Sequence, residues 1–287
     1  MKPMLFLHGV SLAFGGLTVI DSLDIKVMPG SRTGLIGPNG AGKTTVFNLI
    51  SGVYRPNAGE ILLDDQAIDA VPLDRRVALG IGRTFQNLRM MKHLTVLENI
   101  MLGQHHHVGL WRRMLVPLGT PFNRADLAEA RAAAALMGLE AHVNLLADGL
   151  PYGVQKRIEI ARALVTRPRL LLLDEPAAGL NSSERDALLA ILVTKLPKEM
   201  SVLIVEHDVS FVSNLCDHVV ALNFGRKIAE GGAAAVCSHP AVIEAYLGKD
   251  DDAADAGAAE PAPALDETIP ASESARPAST KRGIHAA

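Results

Sequence analysis

Apolar and polar residues alternate in short runs at the start of the chain, and turn-forming residues separate these runs. Residues 5–10, 23–27 and 32–36 each combine apolar character with a length suited to a strand. The third run leads directly into a glycine-rich loop. A strand followed by such a loop is the context in which phosphate-binding loops occur, so we expect one here.

The middle of the chain has a helical pattern, from about residue 94 to residue 166. Within it, Asn123 can cap a helix that continues through an alanine- and leucine-rich stretch and ends near Gly138. Apolar strands are predicted again at 170–173, 202–205 and 218–222. Strands separated by helical segments predict an α/β layer fold, in which the helical middle is an inserted subdomain.

Composition changes sharply near the end of the sequence. Residues 249–287 consist largely of alanine, proline, serine and acidic residues, with almost no large apolar side chain. Such a segment cannot bury enough apolar surface to fold, so we predict a disordered tail. The tail has eight acidic and four basic residues, which leaves the rest of the chain close to neutral. The whole chain has a formal net charge of −3, so general nucleic-acid binding is not indicated.

The cysteine and histidine residues do not have the spacing of a metal site. Cys216 and Cys237 are far apart, which argues against a zinc site or a disulfide framework and favours a reducing cytoplasm. His105, His106 and His107 resemble a ligand cluster at first sight. Consecutive side chains point in different directions, however, so a solvated run is the better interpretation.

Membrane insertion is not indicated either. No apolar run approaches the roughly 18 residues that a membrane-spanning helix needs. The first residues lack the apolar core of a signal peptide. We therefore expect a chain that is neither secreted nor integral to a membrane.

Residues 37–44 satisfy the phosphate-loop pattern G-x-x-x-x-G-K-[ST] in full. The backbone amides of such a loop, together with the start of the following helix, can bind the anionic oxygens of a nucleotide. Lys43 would reach the β- and γ-phosphates of ATP, and Thr44 would bind Mg²⁺. The predicted nucleotide-binding residues of this stretch are Gly37, Pro38, Asn39, Gly40, Ala41, Gly42, Lys43, Thr44 and Thr45.

Two carboxylates follow the apolar run at 170–173. Ligands bind at the carboxyl ends of strands in α/β sheets, and acidic residues there are solvated or bind something. Asp174 would hold Mg²⁺ through a water molecule, and Glu175 would orient or deprotonate the attacking water. A plain surface turn is the alternative for the pair alone, and the phosphate loop upstream makes it the weaker one.

The chain resembles the ABC ATPases over residues 5–248, because five motifs occur in the order found in that family. They are the phosphate loop, Gln86 within Arg83-Thr84-Phe85-Gln86, the stretch 150–157, the pair Asp174-Glu175, and His207. The resemblance implies a RecA-like P-loop core with an ABC-type antiparallel β-subdomain, occupying residues 1–248, and an inserted helical subdomain at about 88–160. It also implies a head-to-tail dimer with two ATP molecules at the interface.

The resemblance further implies roles for single residues, with Glu175, His207 and Gln86 serving catalysis. Phe14 lies where the family has an aromatic ring that stacks on adenine, whereas a lone phenylalanine is otherwise usually a core residue. Gln86 resembles the glutamine that contacts Mg²⁺ and links the nucleotide to the helical subdomain. His207 resembles the histidine that contacts the γ-phosphate, to which an imidazole can donate a hydrogen bond. The loop that crosses to the partner subunit consists of Ala178, Gly179, Leu180 and Asn181.

The signature stretch, which the family uses to contact ATP on the partner subunit, differs from the commonest form, Leu-Ser-Gly-Gly-Gln. The serine hydroxyl that usually touches the γ-phosphate is absent. Gly153 and the amides at the start of the following helix are expected to bind phosphate instead. A turn that only caps a core helix is the alternative. The stretch comprises Leu150, Pro151, Tyr152, Gly153, Val154 and Gln155.

This Pro-Tyr-Gly form is similar to that of one branch, the LivG-type ATPases of branched-chain amino acid importers. Further stretches agree with this branch, at 14–17, 84–87, 94–99, 174–181, 206–208 and 245–248, and residues 104–122 look like its surface-loop insertion. The resemblance implies a peripheral subunit at the cytoplasmic face of the inner membrane. Its partners would be two permease subunits, a periplasmic binding protein, and a paralogous ATPase or a second copy of this chain.

Other cargoes stay open, because the ATPase does not touch the cargo. They include urea, short amides and hydrophobic or aromatic acids, and a sister ATPase serves lipopolysaccharide export. A soluble ABC ATPase of DNA repair or translation is a different class. Those chains typically carry long coiled coils or two ATPase units, whereas this sequence has a single unit and no heptad run.

The residues after Gln86 are too apolar for a free surface loop: Leu88, Met90, Met91 and Leu94. We predict that they help to line a groove for a short cytoplasmic helix of a permease, because methionine adapts well to such helices. The alternative is that they fill the helical subdomain.

Overall fold

The computed structural model describes residues 2–84, 90–106 and 124–247, and ten strands and nine α-helices lie in these ranges. The strands are β1 (Leu5–Phe14), β2 (Leu17–Val27), β3 (Arg32–Ile36), β4 (Ala58–Leu63), β5 (Gln66–Ala67), β6 (Ile81–Arg83), β7 (Leu170–Asp174), β8 (Ser201–Val205), β9 (His218–Asn223) and β10 (Arg226–Gly231). The α-helices are α1 (Lys43–Ser51), α2 (Leu73–Ala78), α3 (Val96–Met101), α4 (Arg124–Leu136), α5 (Tyr152–Leu164), α6 (Ser182–Lys195), α7 (Val209–Leu215), α8 (Ala233–Cys237) and α9 (Pro240–Leu247). Two 3-10 helical turns span Leu102–His106 and Glu140–His142.

The first part of the chain forms a four-stranded antiparallel sheet in the order β2-β1-β4-β5. β1 and β2 form a hairpin that closes with Phe14 paired to Leu17. Both strands are longer than their predicted counterparts. The reason is the turn, since Gly15 and Gly16 adopt φ angles of 52° and 89° and let the pairing continue to the tip.

The second sheet has six strands in the order β10-β9-β3-β8-β7-β6. The five strands from β9 to β6 are parallel, and β10 pairs antiparallel with β9. Every residue of β7 and β8 is buried, which explains their continuous apolar sequences, because parallel strands are covered on both faces. The strands predicted at 32–36, 170–173, 202–205 and 218–222 are all confirmed.

Alternate side chains of β7 belong to two separate apolar clusters. Leu171 and Leu173 pack in a cluster with residues of α3 to α9. Leu170 and Leu172 pack in the other cluster, with residues of α1 and of the antiparallel sheet. The six-stranded sheet is therefore the middle layer of the molecule, and the predicted α/β class is confirmed.

Three helices from the middle of the chain, α3, α4 and α5, pack against one another. α3 begins with a capping box, in which Thr95 Oγ1 accepts a hydrogen bond from Glu98 N, and Glu98 Oε2 accepts one from Thr95 N. α4 ends just before Gly138, whose φ of 63° stops the helix as predicted. α5 continues to Leu164, past residue 160, and the limits of the helical subdomain stay a prediction.

Several predictions fall outside the described residues. These are Gln86, Leu88, the helix cap at Asn123, most of the loop at 104–122, and the tail at 249–287. The side chains of the histidine run at 105–107 are also outside. Within the described part of the chain, no helix is both long enough and apolar enough to cross a membrane.

Candidate nucleotide site

The phosphate loop connects β3 to α1 at the carboxyl edge of the six-stranded sheet. Gly37 has a φ of 151° and Gly42 a φ of 99°, a region that residues with a side chain rarely adopt. A Cβ atom at residue 37 would also collide with the carbonyl oxygen of Leu222 in β9. The backbone conformation and the close contact with β9 thus require glycine at this position.

The Lys43 side chain folds back over the loop and is almost completely buried. Its Nζ donates to Gly37 O at 2.7 Å and to Pro38 O at 3.0 Å. Lys43 also begins α1, so the amides of the first turn, including those of Thr44 and Thr45, have no carbonyl partner within the helix. A cation and a helix amino terminus therefore lie together, which is an arrangement that binds phosphate oxygens.

Asp174 ends β7 and is only 2% exposed. Its Oδ2 accepts a hydrogen bond from Arg83 Nη2 at 3.2 Å, whereas its Oδ1 is buried and has no hydrogen-bond partner among the described residues. Burial raises the pKa of the Asp174 carboxyl, and the Arg83 guanidinium acts in the opposite direction. A buried carboxylate oxygen without a donor fits a hydrated Mg²⁺ ion, because Mg²⁺ keeps several waters and binds carboxylate oxygens.

Thr44 and Asp174 both line a cavity of about 650 Å³. The other walls come from α2, β6, the 3-10 turn after α3, and α5, and they include the cations Arg76 and Arg162. Two of the three predicted Mg²⁺ ligands, Thr44 and Asp174, therefore line the same cavity, which lies between α1 and α5. The third, Gln86, lies outside the described residues.

Glu175 and His207 follow the neighbouring strands β7 and β8, and their side chains are in contact. Glu175 Oε1 lies 2.8 Å from His207 Nε2. Glu175 has a φ of 47°, a strained conformation for a residue with a side chain and one that clusters at functional sites. Because β3, β7 and β8 are parallel, these residues lie at the same sheet edge as the phosphate loop.

Glu206 connects the segment after β7 to the segment after β8. It is buried, and its carboxylate accepts hydrogen bonds from the amides of Ala177 at 2.7 Å and His207 at 3.2 Å. Burial raises the pKa of the Glu206 carboxyl, and the two amides act in the opposite direction. No role for Glu206 itself was evident from the sequence, although residues 206–208 are among the stretches that resemble the LivG-type branch.

Phe14 lies at the tip of β1 and is 44% exposed, so it is not a core residue. Its ring packs edge-on against the ring of Tyr54, with 5.0 Å between the ring centroids. An exposed aromatic ring held by a neighbour can stack on a flat ligand. The contact with adenine stays a prediction.

The signature stretch opens α5, which begins at Tyr152. Gln155 Nε2 donates to Leu150 O at 2.7 Å and so holds the turn before the helix. From the sequence, the Gly153 amide is expected to be available to phosphate. In the structure this amide instead donates to Glu184 Oε1 at 3.3 Å, because a carboxylate is favoured at a helix amino terminus.

The loop at 178–181 contacts the signature stretch of the same chain. Asn181 caps α6, since its side chain accepts a hydrogen bond from Glu184 N at 2.9 Å, and Glu184 Oε2 accepts one from Asn181 N at 3.2 Å. A Cβ atom on Gly179 would lie 3.0 Å from the Tyr152 ring, so this ring packs on the loop. Sequence reasoning missed Glu184, although its spacing of three residues from Asn181 is the pattern of a capping box.

Arg83 is another residue to which sequence reasoning gave no role. Its Nη1 donates to Asn48 Oδ1 at 2.9 Å and to Ser51 Oγ at 2.8 Å, and both partners belong to α1. Through Asp174, the same guanidinium also reaches β7. Arg83 thereby connects the helix after the phosphate loop to the strand that carries the acidic pair.

The arrangement contains the parts that hydrolysis of a nucleoside triphosphate requires. A buried ammonium and a helix amino terminus can bind phosphates, and Asp174 can hold a divalent cation. Glu175 carries a carboxylate that can accept a proton from water, and His207 contacts it.

Comparison with known families identifies two matching segments. The family described as ABC transporter matches residues 20–178. The family described as branched-chain amino acid ATP-binding cassette transporter matches residues 226–252.

Relatives with similar sequences and folds align with most of the chain. It is 42% identical over 260 residues to BraF of Pseudomonas aeruginosa, a high-affinity branched-chain amino acid transport ATP-binding protein, with 86% of this chain and 99% of that protein aligned. It is 41% identical over 257 residues to LivG of Escherichia coli K12, with the same coverage. The crystal structure of an ATP-binding cassette of an ABC transporter in its ADP conformation superposes with a TM-score of 0.78 at 30% identity, covering 86% of this chain and 100% of that one.

These matches confirm the RecA-like P-loop fold with its antiparallel sheet and helical insertion, and they confirm ATP as the nucleotide. The chain therefore belongs to the ABC transporter family of ATP-hydrolysing subunits, in the branch of the branched-chain amino acid ATP-binding cassettes.

Proposed function

We propose that this chain hydrolyses Mg-ATP at the cytoplasmic face of the inner membrane and so energises the import of branched-chain or related hydrophobic amino acids. The observation that carries the catalytic part is the contact between Glu175 and His207 at the sheet edge of the phosphate loop. Support for the cargo comes from the two relatives named for branched-chain amino acid transport, which align over 86% of this chain.

In this proposal the phosphate loop and Lys43 bind the phosphates of ATP. The ammonium exchanges its two carbonyl partners, Gly37 O and Pro38 O, for phosphate oxygens. Charged oxygens are the stronger acceptors, so the exchange favours the nucleotide complex. The exposed ring of Phe14 stacks on the adenine base.

Thr44, Asp174 and Gln86 hold Mg²⁺. The buried Asp174 Oδ1, which lacks a donor among the described residues, supports this assignment. When bound, Mg²⁺ neutralises charge that develops on the β- and γ-phosphate oxygens. Gln86 is assigned from the family pattern alone.

Glu175 is the general base. Its carboxylate accepts a proton from the attacking water while the water oxygen bonds to the γ-phosphorus, and ADP departs with the electron pair of the broken P–O bond. His207 Nε2 lies 2.8 Å from Glu175 Oε1, so His207 orients the carboxylate in the absence of ATP. When ATP is bound, His207 donates a hydrogen bond to the γ-phosphate instead. Glu175 has a φ of 47°, a strained conformation of the kind that clusters at functional sites.

A second ATPase subunit, either a paralogue or another copy of this chain, completes each site. Residues 150–155 of one subunit contact ATP bound to the other, and residues 178–181 cross the interface. Within the single chain, the Gly153 amide already donates a hydrogen bond to Glu184 Oε1. The carboxylate therefore gives way when the partner's phosphate binds there.

Two separate permease subunits supply the route across the membrane, and a periplasmic binding protein delivers the cargo. Among the residues predicted to contact a permease helix, Met91 is 52% exposed, whereas Met90 and Leu94 are partly buried. We assign the permease contact to Met91 and the packing of the helical segment to Met90. Met91→Glu should then abolish co-purification with the permease and leave ATP binding unchanged.

The test of the whole proposal is purification through a tag on this chain from membranes solubilised in mild detergent, followed by reconstitution into vesicles. We expect two permeases and a second ATPase to co-purify, and ATP to drive uptake of labelled leucine. Uptake of urea or benzoate in place of leucine would contradict the cargo alone. ATP hydrolysis without any co-purifying membrane protein would contradict the transport function.

A further inference from the structure

We propose that Tyr246 is a positioning residue for the phosphate loop, so that the last described helix, α9, forms part of the nucleotide site. The inference rests on the function proposed above for that loop. It adds a residue that lies more than 200 positions away from the loop in the sequence.

The observation is a hydrogen bond between the phosphate loop and the last described helix. Gly37 N donates to the hydroxyl oxygen of Tyr246 at 2.9 Å. Gly37 is the first residue of the phosphate loop, at the point where the chain leaves β3. The hydroxyl of Tyr246 therefore sets where the loop begins.

Gly37 is held on three sides, and each contact restricts a different atom. The Tyr246 hydroxyl accepts from its N–H group, Lys43 Nζ donates to its carbonyl oxygen at 2.7 Å, and a Cβ atom added to it would collide with Leu222 O. Loss of the hydroxyl would leave the N–H group without its acceptor in a partly buried position, which is costly for a backbone donor. Rotation of the peptide groups would then also move the carbonyl that orients the Lys43 ammonium.

α9 packs against the core of the fold, so it can hold the phosphate loop in position. Val242 is buried in the apolar cluster that includes β9, and the Tyr246 ring packs against the same cluster. Burial raises the pKa of the Tyr246 hydroxyl, which therefore stays neutral at ordinary pH and accepts the hydrogen bond without a charge. The segment also falls within residues 226–252, the match to the branched-chain amino acid cassettes, whereas Gly37 falls within the general ABC match at 20–178.

The test is Tyr246→Phe, which keeps the ring and removes only the hydroxyl. We expect the Kd for ATP and for ADP to rise about two- to tenfold, the effect of losing one hydrogen bond. Hydrogen exchange at the Gly37 amide should become faster, which a purely structural role of the ring would not produce. The matched control is Ile243→Ala on the exposed side of the same helix, which should leave both quantities unchanged.

Two further results separate this inference from the function of the loop itself. Lys43→Ala, measured in the same assay, should lose most nucleotide affinity and all ATP turnover. Suppose that Lys43→Ala has this effect but Tyr246→Phe matches wild type in Kd and in Gly37 exchange. Tyr246 then does not position the phosphate loop, and the assignment of the loop to nucleotide binding stands. If Lys43→Ala binds and hydrolyses ATP normally, the loop assignment is wrong and this inference fails with it.

Discussion

Glu184 Oε1 accepts a hydrogen bond from the amide of Gly153, so an anionic side chain lies at the first turn of the helix that should bind phosphate. Glu184 reaches this position because it also closes the capping box with Asn181 at the start of α6. One carboxylate thus connects the signature stretch to the loop predicted to cross the dimer interface. A phosphate that binds the Gly153 amide has to compete with it.

Glu184→Gln should therefore strengthen the ATP-bridged dimer. Glutamine keeps the acceptor oxygen and also suits a capping box, but it removes the negative charge that competes with phosphate. In a background that cannot hydrolyse ATP, the dimer dissociation constant should fall about two- to fivefold, in line with the strength of a charge at a helix end. Sedimentation at several protein concentrations measures it.

The control for this effect is Asp186→Asn, which removes the same charge from an exposed position on the same helix. It should leave dimerisation unchanged, because within the part of the chain that the structure describes the Gly153 amide donates to Glu184 and not to residue 186. An equal gain from both variants would mean that overall charge governs the dimer. Unchanged dimerisation in Glu184→Gln would exclude competition at Gly153.

Arg83→Met should destabilise the fold far more than the loss of a surface ion pair. The guanidinium is nearly buried and balances the buried charge of Asp174, so its removal leaves a carboxylate without its counter-ion. Such a loss costs about 3–5 kcal/mol. Arg167→Met, which breaks the exposed pair with Glu129, should cost at most about 1 kcal/mol. Urea unfolding measures both, and equal losses would show that Asp174 does not depend on Arg83.

Much of the fold could be predicted because the central strands of the six-stranded sheet consist almost entirely of apolar residues. β7 and β8 are buried on both faces, so each appears as an unbroken apolar run. The extent of β1 was underestimated, because Gly15 and Gly16 form a turn that only pairing with β2 makes visible. Local pattern thus locates a strand, but its partner decides where the strand ends.

The candidate site could be predicted where its residues are adjacent in sequence, as in the phosphate loop and the pair Asp174-Glu175. Such motifs are contiguous because one loop or one strand end presents them. The bonds from Arg83 to Asp174 and from Gly37 to Tyr246 join residues far apart in the chain. A single sequence does not indicate which of its arginines, or which of its three tyrosines, will contact a given partner.

Deletion of residues 249–287 should leave both stability and ATP turnover intact. The segment has almost no large apolar side chain, so it has little surface to bury against the ATPase domain. The thermal unfolding midpoint and the rate of phosphate release of the shortened chain should both match wild type. A midpoint lower by several degrees would show that the segment packs against the domain.

Glu175→Gln should bind ATP normally, hydrolyse it very slowly and accumulate as an ATP-dependent dimer. Glutamine keeps the shape of the side chain and can still form a hydrogen bond with His207, but it cannot accept the proton of the attacking water. Loss of a positioned general base typically lowers the rate about 10²- to 10⁴-fold. Intact ATP then continues to link the two subunits, and mass action favours the dimer.

Phosphate release and gel filtration with ATP or ADP measure these effects for Glu175→Gln. The permease and the partner ATPase should be present in case the chain pairs with a paralogue. Glu244→Gln, an exposed acid on α9, is the matched control and should behave as wild type. Turnover of Glu175→Gln within a few-fold of wild type would show that Glu175 is not the base, and failure to bind ATP would show that the site itself is wrongly assigned.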